Sequence, residues 1–298
     1  MFLPLHDIYE PSAILPLPDG RFLIAEDEKT RPFSLVTIQP DGTTHSVPLV
    51  TETPGGDFAK LDDLEGLAAD TAGHVYAITS HSRSGKGEEK AARERLIRFH
   101  VAGDRLVAPV VVAGLKAALI ATHPVLAEAA ARRDVKAEGG LNIEALEITP
   151  GQQHLLIGFR SPLQAGRALI ARVENPAAMF DNGAAPRIAA KLTTLDLAGH
   201  GLRGLSHIPA LDGYLLISGP VTKEQTQFRL WFWSGREADA PRHAHVPGLP
   251  GFEHAEGIAP ATINGQPRII IVSDDGDREA GQAARFLLLD PAQLLIDG

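Results

Sequence analysis

The sequence contains no cysteine, which excludes a disulfide framework, an iron–sulfur cluster, cysteine-ligated zinc and a thiol nucleophile. Cationic residues are outnumbered. The 28 Lys and Arg against 37 Asp and Glu leave a formal charge of −9 with no basic block, and duplex nucleic acid and anionic membranes both need clustered cations, so neither is expected as a partner. Aromatic residues are few (11 Phe, 3 Tyr, 2 Trp), which argues against a surface that stacks many sugars or bases. The longest apolar stretch, Leu106 to Ala121, is broken by Pro109, Gly114 and Lys116 and does not read as a membrane span. The opening Met1 to Asp7 lacks the basic start and long apolar core of a signal peptide, so a cytoplasmic location is expected. No Gly-x-Ser-x-Gly elbow occurs, and Ser84-Gly85-Lys86-Gly87 lacks the spacing and the following Ser or Thr of a phosphate-binding loop.

What the chain does have is punctuation: 29 Gly and 22 Pro, which favour many short elements over a few long helices. At 44% hydrophobic and 22% charged residues it has the composition of a globular protein. The punctuation marks a repeat. Asp63-Leu64-Glu65-Gly66-Leu67 leads through Gly73 into Val75 to Ser80. Asn142-Ile143-Glu144-Ala145-Leu146 leads through Pro150-Gly151 into Leu155 to Arg160. Leu202-Arg203-Gly204-Leu205 leads through Asp212-Gly213 into Tyr214 to Ser218. His254-Ala255-Glu256-Gly257-Ile258 leads through Asn264-Gly265 into Ile269 to Ser273. A weaker copy, Glu10 to Ile14, leads through Asp19-Gly20 into Phe22 to Glu26.

Each copy reads as a β-hairpin, and further apolar runs supply outer strands. Five such units predict an all-β fold, a five-bladed β-propeller occupying residues 1–298 as one domain; a sixth blade assembled from both termini is the alternative. Aligned on Pro11, Glu65, Glu144, Arg203 and Glu256, the copies are spaced by 54, 79, 59 and 53 residues. The long interval holds an Ala-rich insertion over residues 115–138, expected to form a helical hairpin that either caps the channel or packs on the blades. The charged excursion from Ser80 to Arg95 reads as a solvated loop.

In a propeller the first strand of each blade lines the channel. Its start and the end of the second strand lie at one mouth, which gathers Glu65, Glu144, Arg203 and Glu256. Asp63, Asn142 and His254, two positions earlier, are expected to point the same way by strand period. His81, Arg160, Asp274 and Asp275 arrive from the second strands, while Arg83, Arg167, Lys223, Arg278 and Arg285 follow on loops. Three carboxylates cannot share a small volume ionised without compensation. Three solutions are open: Arg203 and backbone donors hold them as a structural register; a divalent cation such as Ca²⁺ binds Glu65, Glu144 and Glu256 with Asp63 and Asn142 in support; or they form a metal-free acid/base pair. His243-Ala244-His245 places two imidazoles on one face of an extended segment, with no third ligand nearby in sequence.

These motifs, together with Ile157-Gly158-Phe159-Arg160-Ser161-Pro162-Leu163, resemble the bacterial family DUF3616 over nearly the whole chain. More distantly, the inner-strand Glu-Gly motifs look like those of calcium-dependent propeller hydrolases: the calcium-activated nucleotidases, phytase-like esterases and lactonases. The resemblance implies a Ca²⁺-assisted hydrolase acting on a small anionic substrate, a phosphate ester or phosphoanhydride. Glu65, Glu144 and Glu256 would match the nucleotidase ring, and Arg203 departs from it. In this reading Glu144, Arg203 and Arg160 carry the chemistry, and His81, Arg83, His254, Asp274 and Asp275 contact the ligand. A lactonase-like hydrolase and a non-catalytic propeller that binds a ligand or a protein are the alternatives.

Overall fold

A computed structural model describes residues 2–27, 31–51, 61–221 and 227–298. Five sheets, antiparallel but for one short edge pairing, follow one another along the chain. Blade 1 is Pro11–Pro16, Phe22–Glu26, Phe33–Ile38 and Thr44–Pro48; blade 2 is Leu64–Ala69, Val75–Thr79, Leu96–Ala102 and Arg105–Val112. Blade 3 is Asn142–Ile148, Leu155–Gln164, Arg167–Val173 and Thr193–Leu195; blade 4 is Gly201–Ile208, Gly213–Gly219, Arg229–Trp233 and Arg242–His245. Blade 5 is Ala255–Ile263, Gln266–Ser273 and Arg285–Leu289. The first strands of neighbouring blades pack side by side in a closed ring, blade 5 against blade 1. The fold is a five-bladed β-propeller.

The termini do not build a sixth blade. Leu3–Pro4 supplies the outer strand of blade 5, with Leu3 opposite Phe286, and Leu295–Ile296 adds a fifth strand to blade 4. Val50–Thr51 extends blade 2 by a short parallel pairing with Arg105 and Leu106. Leu3–Pro4 thus ties the start of the chain to the last blade, and the other two strands cover otherwise open sheet edges.

The burial pattern explains why the second strands read as unbroken apolar runs rather than alternating ones. A blade's second strand lies between two neighbouring blades, so both of its faces are covered; Phe22–Glu26 and Val75–Thr79 are buried at every position. One apolar cluster fills each interface, with Leu23 and Phe33 of blade 1 meeting Ile97 and Phe99 of blade 2, and Leu216 and Trp233 of blade 4 meeting Leu156 and Ile170 of blade 3. Trp233 and Phe232 are buried, whereas Trp231 is half-buried and donates its indole N–H to Ser218 Oγ at 2.9 Å.

The interval between blades 2 and 3 forms helices α1 (Leu115–Thr122), α2 (Pro124–Ala131) and α3 (Val135–Glu138). Leu115, Leu119, Leu126 and Ala129 join the blade 2–blade 3 core. A fourth helix, α4 (Pro176–Asn182), interrupts blade 3 and buries Met179 and Phe180 in the same cluster.

Candidate functional site at the channel mouth

The inner strands share one irregularity that builds the site. In each, the pairing with the second strand slips by one residue near its start: between Pro11 and Ala13, Leu64 and Gly66, Ile143 and Ala145, Leu202 and Gly204, and Ala255 and Gly257. The residue left unpaired by these β-bulges is Ser12, Glu65, Glu144, Arg203 or Glu256. A bulge re-aims its side chain out of the regular alternation, and here the last four line one cavity. In blade 1 the equivalent position is Ser12, one residue beyond Pro11, on which the sequence alignment rested. The glycine after the bulge has a packing cause. A Cβ at Gly66 would stand 2.7 Å from the Leu146 nitrogen of blade 3, and one at Gly204 would overlap the Glu256 carbonyl oxygen of blade 5.

The cavity measures about 490 Å³. Arg203, buried at its centre, donates from Nη1 to Glu144 Oε2 at 2.8 Å and to Glu256 Oε1 at 2.5 Å. Glu144 also accepts from Asn142 Nδ2 at 2.7 Å and from Arg160 Nη1 at 3.2 Å, while Arg160 Nε is spent on the Pro220 carbonyl. Across the mouth Arg93 Nη1 donates to Asp63 Oδ2 at 2.8 Å. Glu65 accepts no hydrogen bond from the described residues, yet one carboxylate oxygen from each of Glu65, Glu144 and Glu256 lies within 4.8 Å of the other two. On the cavity wall two buried atoms find no partner among the described residues: the acceptor Asn142 Oδ1 and the donor Arg203 Nε.

Charge crowding follows from this geometry. Burial, then the Glu144, Asp63 and Glu256 carboxylates, raise the Glu65 carboxyl well above its usual range. Glu256 is pushed up to about 8 by burial, against the opposing pull of Arg203. Asp274 rises to about 6, first through burial and then through Glu10. Burial alone would weaken the Arg203 cation, but Glu144 and Glu256 outweigh it and hold the guanidinium protonated. Seven carboxyl groups and five guanidiniums line the cavity, an excess of two negative charges once every carboxyl is ionised.

Glu65, Glu144, Glu256, Arg203, Asp63, Asn142, Arg160, Arg83 and Asp274 therefore meet at one cavity. Arg83 arrives with its guanidinium already bonded to the Ala130 and Gly87 carbonyls and to Glu89. His81, Asp275 and His254 do not line it. His81 is buried beneath the rim with Nδ1 at 2.9 Å from the Thr79 carbonyl oxygen, and burial lowers its pKa to about 4. Asp275 is held by Ser273 Oγ and Arg285. His254 has φ of 61° and turns its ring toward Phe228. Arg285 is committed to Asp275, and Lys223 lies outside the described residues.

The Ser80–Arg95 excursion is solvated only in part: Gly85, Lys86, Glu88 and Glu89 are exposed, but Ser80, His81, Ser82 and Ser84 are buried, and it delivers Ser82, Ser84 and Arg93 to the cavity wall. Arg93, from the 3₁₀ turn Ala91–Arg93, carried no sequence signal beyond its charge. The insertion both packs and encloses, since α1 and α2 feed the core while Arg133, Asp134, Val135 and Ala137 line the mouth.

Fold and site together define a five-bladed β-propeller with a charged, helix-flanked channel mouth. Residues 134–290 match a family described as protein of unknown function (DUF3616), and the chain belongs to that family. No curated protein sequence matches it. Among solved structures, a GH43 β-1,3-galactosidase in complex with galactodeoxynojirimycin superposes with TM-score 0.52 at 9% identity, over 99% of this chain and 98% of that one. A candidate oxidoreductase (glucose dehydrogenase) from Thermus thermophilus gives TM-score 0.49 at 16% identity over 97% and 99% of the two chains. The PQQ-bound aldose sugar dehydrogenase of Streptomyces coelicolor gives 0.47 at 16% identity over 100% and 98%. At such identities the likeness is one of fold. Among the described residues no helix is long and apolar enough to cross a membrane.

Proposed function

We propose that the channel mouth binds a Ca²⁺ ion through Glu65, Glu144 and Glu256 and uses it in hydrolysing a small anionic substrate, a phosphate ester or phosphoanhydride. The observation that carries this reading is the convergence of three carboxylate oxygens within 4.8 Å, one of them on a glutamate that accepts no hydrogen bond from the described residues. Calcium takes six to eight oxygen ligands at about 2.3–2.6 Å, so three oxygens at that mutual distance can share one ion. The buried, unpartnered Asn142 Oδ1 adds an amide oxygen of suitable chemistry. With every carboxyl ionised, the seven carboxylates against five guanidiniums of the lining leave the charge that a divalent cation brings.

When bound, the ion would supply Lewis-acid polarisation of a substrate oxygen or of water. The chain's own residues do the rest. Arg203, with Nε unpartnered, and Arg160 present positive charge beside the carboxylates, where an anionic group can be received and developing charge offset. Arg133, Asp134, Val135 and Ala137 wall the cavity on the insertion side.

The test is hydrolysis of p-nitrophenyl phosphate, a nucleoside diphosphate and a γ-lactone, each with Ca²⁺ or with EDTA, by the wild type and by Glu144→Gln and Arg160→Leu. Calcium-dependent turnover of a phosphate substrate, reduced about 10²-fold in Arg160→Leu, is expected. Turnover indifferent to EDTA would leave a metal-free carboxylate pair, turnover of the lactone alone would move the substrate class, and no turnover of any substrate would make the mouth a binding site only.

A further inference from the structure

A second cluster sits far from the channel, on the outer edge of blade 4. His243 and His245 lie two apart on one strand and therefore on one face; their rings stack at 5.8 Å with 17° between planes. The third group comes from the C-terminal strand. Ala244 pairs with Ile296, and the Asp297 amide donates to the His243 carbonyl at 3.0 Å. This lays the Asp297 carboxylate across both rings, Oδ2 at 3.6 Å from His243 Nδ1 and Oδ1 at 3.7 Å from His245 Nδ1.

Those separations are too long for hydrogen bonds. They are close to the roughly 3.4 Å that separates two ligands held about 2.1 Å from one ion at the tetrahedral angle. The three side chains are 41%, 44% and 57% exposed, so an ion can enter without rearrangement and water can take a fourth position. Two imidazoles and a carboxylate suit borderline transition metals and not Ca²⁺ or Mg²⁺, which take oxygen alone. We infer that His243, His245 and Asp297 form a binding site for a divalent transition metal of the Zn²⁺ class. The ion clamps the C-terminal strand onto blade 4. The site is independent of the channel mouth in position and in ligand chemistry.

The fold carries its own reporter. His243 stands edge-on to Trp231 with ring centroids 5.6 Å apart, and Trp231 is one of two tryptophans. The full chain, carrying no polyhistidine tag, is titrated with ZnCl₂ while melting temperature is followed, and with CuCl₂ while tryptophan emission is followed. One equivalent of Zn²⁺ raises the melting temperature, and one equivalent of Cu²⁺ quenches a component of the emission that Trp231→Phe removes. His245→Ala and Asp297→Asn each weaken both responses about tenfold or more; Glu144→Gln and excess Ca²⁺ leave them unchanged. Zn²⁺ also slows hydrogen exchange of the Asp297 amide. Absence of a response at stoichiometric metal, or an equal response in His245→Ala, overturns the site. Binding without protection of the Asp297 amide overturns the clamp.

Discussion

Glu144 and Glu147 stand three residues apart on the same inner strand and face opposite ends of the channel. Glu144 occupies a bulge and receives Arg203, Arg160 and Asn142 in the mouth cavity of about 490 Å³. Glu147 lies in regular strand at the narrower end, a cavity of about 200 Å³, where the Ile148 and His207 backbone amides, each at 2.8 Å, are its donors together with Ser206. Burial there pushes its carboxyl up to about 7, despite those bonds. Burial raises carboxyls at both ends, but one end sets guanidiniums against them while the other holds a single carboxyl met by neutral donors alone. The difference lies in the bulge, which turns one residue per blade inward and lets side chains from four blades meet. Where the strand is regular, that convergence does not occur.

Breaking the paired end should have the largest effect. Arg203→Met leaves Glu144 and Glu256 buried without their shared cation, and the loss expected is about 3–5 kcal/mol. It is measured by urea denaturation at pH 7, and adding Glu256→Gln should recover part of it. At the other end the sign reverses. A carboxyl whose folded pKa is raised binds more protons in the native state than in the unfolded one, so its stabilising contribution, full below about 4.5, is lost as pH rises to about 7. Glu147→Gln should therefore flatten the decline in stability over this window and gain on the order of 1 kcal/mol at pH 8. Melting curves at pH 5 and pH 8 check this; equal shifts at both pH values would remove the titration account. The smallest effect is expected at the rim, where Glu89→Ala removes the exposed partner of Arg83. It should change stability by less than about 0.5 kcal/mol, read from the same denaturation curves, because two backbone carbonyls still hold the guanidinium.

The sequence carried the repeat because each inner strand must begin beside a tight turn and bury its apolar residues, and the inward Glu or Arg falls at a fixed point in that pattern. Period two failed where the backbone leaves the extended region. His254, at φ of 61°, turns its ring away, whereas Asp63, at φ of 68°, keeps its carboxylate in the cavity through Arg93. Ser12 was misaligned by one residue because a bulge is a pairing event and has no composition of its own. The closing of the ring was also illegible, since Leu3–Pro4 and Leu295–Ile296 are strands only by virtue of the edges they cover. Helix α4 had a local signature, Pro176 at its first turn and Gly183 at its end with φ of 64°, but its Met179 and Phe180 resemble any apolar pair until the blade 2–blade 3 core is assembled.

Whether the bulge carboxylates share a divalent cation is decided by calorimetric titration of the protein with CaCl₂ at pH 6, 7 and 8. Glu65 and Glu256 hold protons more tightly than ordinary glutamates. One bound ion is therefore expected, with affinity that rises with pH, proton release that shows in buffers of different ionisation enthalpy, and loss of binding in Glu65→Gln. Absence of binding at pH 8, or an affinity unchanged by Glu65→Gln, would contradict it.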